Sequence, residues 1–215
     1  QFNLPFTATS DDIAALAARF GLKLPLSAKG EVNGALTGDP GALALTQLAG
    51  IWANDLGRVS FDGAVESLAG PVTLDAIVDV SIDDIGAMGR LLELPLDDYS
   101  AIGAKGSARI QHTAERTSLT KLRGTFAGQS IRLGRFSAEV PDITQLGASS
   151  LAIDVELVDI GRFAQQLHIN PSYADSVKLK ASLVGASKPN APYFLTLDIR
   201  TDALKAFIHG QVSAL

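Results

Sequence analysis

The sequence predicts a mostly β fold with short helices (α+β), in which units of strand, short helix and antiparallel meander repeat to form a curved, elongated sheet or groove. Three observations predict it. One short segment recurs at intervals of 72 (12 to 84) and 75 (84 to 159) residues. Apolar and polar residues alternate on either side of each copy, and glycine and proline punctuate the alternation at regular places.

The recurring segment reads Asp12-Ile13-Ala14-Ala15-Leu16, Asp84-Ile85-Gly86-Ala87-Met88 and Asp159-Ile160-Gly161-Arg162-Phe163. Before each copy stands an alternating run: Phe2, Leu4, Phe6 and Ala8; Leu74, Ala76, Val78, Val80 and Ile82; Leu151, Ile153, Val155 and Leu157. Period-two alternation places all residues of such a run on one face of a strand. After each Asp, apolar residues recur at helical spacing, which predicts short helices over Asp11–Phe20, Asp84–Leu92 and Asp159–Leu167. Ser10 or the Asp itself can cap the first turn. The links Leu24-Pro25-Leu26, Leu94-Pro95-Leu96 and, more loosely, Ile169-Asn170-Pro171 then end each helix in extended chain.

The next strand of each unit carries Lys29, Lys105 or Lys180 and alternates again, Gly106, Ala108 and Ile110 opposing Ser107, Arg109 and Gln111. A third strand pairs Leu45-Thr46-Gln47-Leu48 with Leu119-Thr120-Lys121-Leu122, and Tyr193 to Leu197 supplies the third copy. Gly57 and Gly134, each followed by Arg (Arg58, Arg135), sit near the turn into a last strand, Val59–Val65 and Phe136–Val140. The whole chain is thus a single repeated β-rich domain with units of approximately 1–70, 71–148 and 149–215. It opens on Gln1-Phe2-Asn3-Leu4 without Met, which reads as a fragment of a longer protein.

Composition bounds the function. The formal net charge of −5 is spread without long runs, so no footprint for a polyanion emerges and nucleic acid is not expected as a partner. No cysteine is present, which removes thiolate metal sites and cysteine nucleophiles. His112, His168 and His209 lack metal-ligand spacing, and the acidic pairs Asp11/Asp12 and Asp83/Asp84 are explained by helix capping. Asp97/Asp98 is the third such pair. No nucleophile elbow, phosphate-binding loop or dinucleotide fingerprint occurs. The expectation is a chain without catalytic residues, metal or cofactor. Trp52, alone in its alternating strand, reads as ordinary core.

The segment Asp12 to Leu16, the link Gly21-Leu22-Lys23-Leu24-Pro25-Leu26, the strand Gly30 to Gly38 and the stretch Asn54-Asp55-Leu56-Gly57-Arg58-Val59-Ser60 together resemble the C-terminal region of AsmA-like proteins, of the TamB/AsmA periplasmic β-groove type. The likeness covers the first unit well and the later units more loosely. It implies a Gram-negative envelope protein, anchored in the inner membrane by a segment outside this sequence, with its bulk in the periplasm. It further implies that phospholipid or another acyl-chain lipid is the partner, beside flanking repeats of the parent chain and other envelope proteins, in outer-membrane lipid homeostasis or assembly. Residues expected to touch acyl chains are Phe6, Leu74, Val78, Val80, Ile153 and Val155.

Alternation itself leaves two architectures open. Either two layers of sheet close on each other, giving an interaction scaffold with a self-filled core, or the repeats form one long curved sheet whose apolar face stays accessible.

Overall fold

A computed structural model describes residues 2–12, 14–15, 27–39, 41–68, 70–91, 95–96, 99–159, 176–185, 192–201 and 204–212. They build one antiparallel, curved and open sheet of twelve strands in which spatial order equals chain order. The strands are β1 (Phe2–Ser10), β2 (Lys29–Asp39), β3 (Ala42–Asn54), β4 (Gly57–Val65), β5 (Leu74–Ile82), β6 (Ile102–His112), β7 (Thr117–Gly128), β8 (Ile131–Val140), β9 (Ser150–Leu157), β10 (Val177–Val184), β11 (Tyr193–Arg200) and β12 (Lys205–Val212). Four strands fall in each of the three sequence intervals. Eleven inter-strand steps of ~4.8 Å make the sheet about 53 Å across.

Among the described residues one α-helix is present, α1 (Ile85–Leu91), fewer than the three the sequence predicts. The segments expected to be helical after Asp12 and Asp159 lie largely outside the described residues. So do the links Leu24-Pro25-Leu26 and Ile169-Asn170-Pro171. The shared Asp nevertheless shows its role twice: Asp84 Oδ1 accepts the Ala87 amide at 2.9 Å, and Asp12 Oδ1 accepts the Ala15 amide at 3.0 Å. Each carboxylate takes one of the amides that a helix start leaves without a carbonyl. The backbone amides around Asp84, Ala87 foremost, hold its carboxyl below the ordinary range.

The last strand of the second unit starts earlier than expected, at Ile131 and not Phe136, so Gly134-Arg135 lie inside β8 and the turn before it is Gln129-Ser130. Gly134 is there because Phe126 of β7 lies across it, so the glycine serves close packing within the sheet and not a chain reversal.

The meander carries a matching bulge in each of the first two units, and the second unit has a further register shift between Ile131 and Leu133 of β8. Leu45 faces Val65 and Leu48 faces Gly63, so β3 spends three steps where β4 spends two. Leu119 faces Val140 and Leu122 faces Ala138, the same excess in β7. The bulges contain Gln47 (φ 52°) and Lys121 (φ 53°), two left-handed residues in the matching Leu-Thr-Gln-Leu and Leu-Thr-Lys-Leu motifs. In β11 the corresponding run is Leu195-Thr196-Leu197, one residue shorter, and its pairing with β10 and β12 is continuous. The extra residue keeps leucine on the same face before and after the bulge, since one inserted residue would otherwise invert the pleat.

Candidate functional site

The registers sort every strand residue onto one of two faces. Phe6 opposes Gly34, Val59 opposes Val80, Phe61 opposes Val78, Ile153 opposes both Phe136 and Ala181, and Leu197 opposes Ile208. Directly paired residues share a face. The result is an apolar surface continuous from β1 to β12, backed by a face rich in Asp, Arg, Lys, Ser and Thr that also exposes Ile77, Val184, Phe194 and Phe207. Even alanine reports the difference: Ala76 and Ala108 on the apolar face are buried, while Ala127 and Ala152 on the other are exposed.

Phenylalanine is laid flat on the apolar face by a repeated device. Phe6 lies over Gly34, Phe61 over Gly50, Phe126 over Gly134 and Phe136 over Gly124, each ring covering a glycine on the adjacent strand. A methyl group at Gly50, Gly124 or Gly134 would collide with the ring, and at Gly34 it would stand 3.0 Å from Phe6 Cζ. Missing side chains let the large rings tilt down onto the backbone, so aromatic area is presented without filling the trough. Trp52 belongs to this system. Its ring stands 5.2 Å from Phe61, as Phe126 stands 6.4 Å from Phe136 at the matching place in the next unit. The solitary tryptophan is therefore part of a repeated aromatic pair, a role readable only once the glycines opposite are paired in register.

All six residues singled out in the sequence lie on this one face, but they do not converge on a single point. Phe6 sits on β1 at one end of the sheet, Leu74, Val78 and Val80 on β5, and Ile153 and Val155 on β9. Their surroundings differ. Val155 is only 9% exposed and joins Ile102, Ile131, Leu157 and Val177 in the one packed cluster, with Ile85 of α1 against it. The helix thus packs beside β6, with Ile85 against this cluster, and leaves the rest of the face uncovered by any described element. Leu4 (58% exposed) and Ile208 (52%) carry the apolar surface to the two edge strands.

The opposite face is ordered by charge. Arg109 makes a bidentate pair with Asp75, whose other oxygen contact is Gln111 at 3.3 Å. The Arg109 guanidinium beside it holds the Asp75 carboxyl below its usual value, while burial opposes that shift. Lys180 reaches Asp154 at 3.2 Å, and Arg200 reaches Asp198 at 2.6 Å within one strand. On the apolar face, opposite Leu74, His112 Nδ1 lies 2.7 Å from Thr117 Oγ1, tying the hairpin between β6 and β7. A depression of 740 Å³ on this polar face runs from Arg123 to Phe207 across six strands. It carries no constellation of nucleophile and base, and its carboxylates are held by cations across or along the strands.

No known family, curated protein or solved structure matches the chain. The face must be interpreted from its own chemistry.

The solvent-accessible area is 13,811 Å², against roughly 9,400 Å² for a compact protein of this mass. Among the described residues no large side chain is fully buried. Two layers closing on each other would have produced a dry interior, and the single open sheet replaces that alternative.

Proposed function

We propose that this chain is a non-enzymatic lipid-binding segment of an AsmA-like envelope protein, holding acyl chains along its apolar sheet face. The observation that carries the reading is the continuity of that face across twelve strands with no second layer of described residues over it. An exposed apolar surface of this size needs a cover in water, since each Å² costs about 25 cal/mol. Acyl chains supply such a cover without specific polar partners, and the face offers none. The resemblance to the AsmA-like C-terminal region supports a periplasmic setting and a parent anchored in the inner membrane of a Gram-negative bacterium. No helix among the described residues is long and apolar enough to cross a membrane.

Phe6, Leu74, Val78, Val80 and Ile153 are the contacts this proposal names, with Val155 reached only where the cluster under α1 opens. A photo-crosslinking residue at Val78 should label phospholipid in cells, and the same residue at Asp79, its neighbour on the polar face, should not. Equal labelling at both positions, or none at Val78, sinks the proposal. A second reading, an interaction scaffold, draws on the exposed edges β1 and β12, whose backbone groups are free to pair with another strand. Native mass spectrometry of protein taken from membranes separates the two: copurifying phospholipid supports the first, and a lipid-free assembly of chains supports the second.

A further inference from the structure

We infer that the polar face of β4 to β8 docks onto an anionic bilayer surface through four cations, Arg58, Lys105, Arg123 and Arg135. The pairing registers put three of them in one row straight across the sheet: Arg58, Ser81, Lys105, Thr125, Arg135. Arg123 stands one pleat along from Thr125, opposite Ser107 and Ser137. Cations in the row therefore recur at every second strand, about 10 Å apart, with a hydroxyl between them.

The row differs from the rest of this face. Beyond Arg135 it continues as Asp154, Lys180, Asp198, where opposite charges alternate and pair. Asp75 and Arg109 pair likewise on β5 and β6. Over β4 to β8 no carboxylate interrupts the row, and none of the four cations has a hydrogen-bond or ion-pair partner among the described residues. At about 10 Å apart the cations repel one another little, and only Arg135 has an acid, Asp154, directly opposite, so a bound anion would supply the counter-charge that Arg58, Lys105 and Arg123 lack along this row. Asp79 is the one acid in the adjoining depression of 400 Å³, against Arg58, Lys105 and Arg123. The balance there stays positive.

The shape selects the partner. All four side chains are exposed, and from β4 to β8 they span four inter-strand steps, about 19 Å, bordering two open depressions, so a small anion would meet one or two at a time. A surface carrying many phosphates engages all four. No aromatic ring stands among them, which leaves single-stranded nucleic acid without a stacking platform. Phosphodiester headgroups of a bilayer have the required charge and lateral spread. This docking uses the face opposite the apolar trough and does not rest on acyl-chain binding.

The experiment is flotation of the 215-residue chain with phosphatidylcholine vesicles, with and without phosphatidylglycerol. Capture should require phosphatidylglycerol and fall with salt. Each cation changed to Gln should weaken partitioning roughly fivefold, and R58Q/K105Q/R123Q/R135Q more than a hundredfold. A control, K29Q/R116Q/K178Q/K205Q, removes the same charge from scattered positions and should retain most of the binding. Both variants are checked for an unchanged β circular dichroism spectrum, and single substitutions replace any quadruple that fails to fold. No capture by anionic vesicles, equal loss in patch and control, or equal capture of duplex DNA at matched phosphate would overturn the inference. Phospholipid copurifying with R58Q/K105Q/R123Q/R135Q, scored by native mass spectrometry, should equal that of the unchanged chain, so failure of the acyl-chain proposal and failure of this one are read separately.

Discussion

At the residue scale the decisive pairs are glycine under phenylalanine and arginine beside aspartate. Gly50 and Gly134 have no room for a side chain because Phe61 and Phe126 occupy it. Gly50→Val or Gly134→Val should therefore destabilise by about 1–3 kcal/mol, whereas Gly41→Val, where nothing lies within reach, should change stability by less than about 0.5 kcal/mol. Urea titration of the three variants checks this. The Asp75–Arg109 pair makes a pH prediction. Because the folded-state pKa of Asp75 is lowered, its contribution is present above the unfolded value of about 3.9 and is lost as pH falls through the lower folded value. Asp75→Asn should flatten the acid limb of the stability profile below about pH 4 and leave its shape above pH 6 unchanged. The glycines were visible in the sequence as turn and strand residues, but which ring covers which glycine was not, because that depends on inter-strand register.

At the scale of elements, the matched motifs Leu45-Thr46-Gln47-Leu48 and Leu119-Thr120-Lys121-Leu122 were legible as equivalent strands. Their bulges were not, since two leucines three apart break a period-two pattern and only the observed pairing shows the extra residue absorbed at φ near +50°. The third copy lacks that residue and lacks the bulge, which ties the motif to the geometry. Left-handed backbone costs a β-branched residue most. Lys121→Val should lose about 1–3 kcal/mol, while Lys121→Gly should be neutral or stabilising by up to ~1 kcal/mol, measured by thermal and chemical denaturation. Lys121 also exposes how the bulge is satisfied: its amide, turned out of the ladder, donates to Glu139 Oε1 at 2.9 Å. Helix starts were legible for a different reason. An N-cap is a local interaction, so Asp84 could be assigned its role from the chain alone.

At the scale of the whole molecule, among the described residues every substantial strand contact joins neighbours in sequence, and the only packed cluster lies on β6, β8, β9 and β10. Stability in such a sheet is close to a sum of nearest-neighbour interfaces. Native-state hydrogen exchange should accordingly be slowest at Ile102, Ile131, Val155 and Leu157 and fastest along β1 and β12, whose residues are mostly exposed. Uniform protection across all twelve strands would show a closed cooperative core instead.

The amino-acid sequence determined which side of each strand avoids water, the four-strand composition of each unit and the local caps, because these follow from pleat, spacing and neighbouring residues. Only the tertiary structure decided that the twelve strands join edge to edge in one sheet, that the apolar side remains open, and that Arg58, Lys105 and Arg135 line up across the polar side. Alternation records that a face is withdrawn from water, but what covers it depends on contacts between strands far apart in the chain, and no local pattern encodes those.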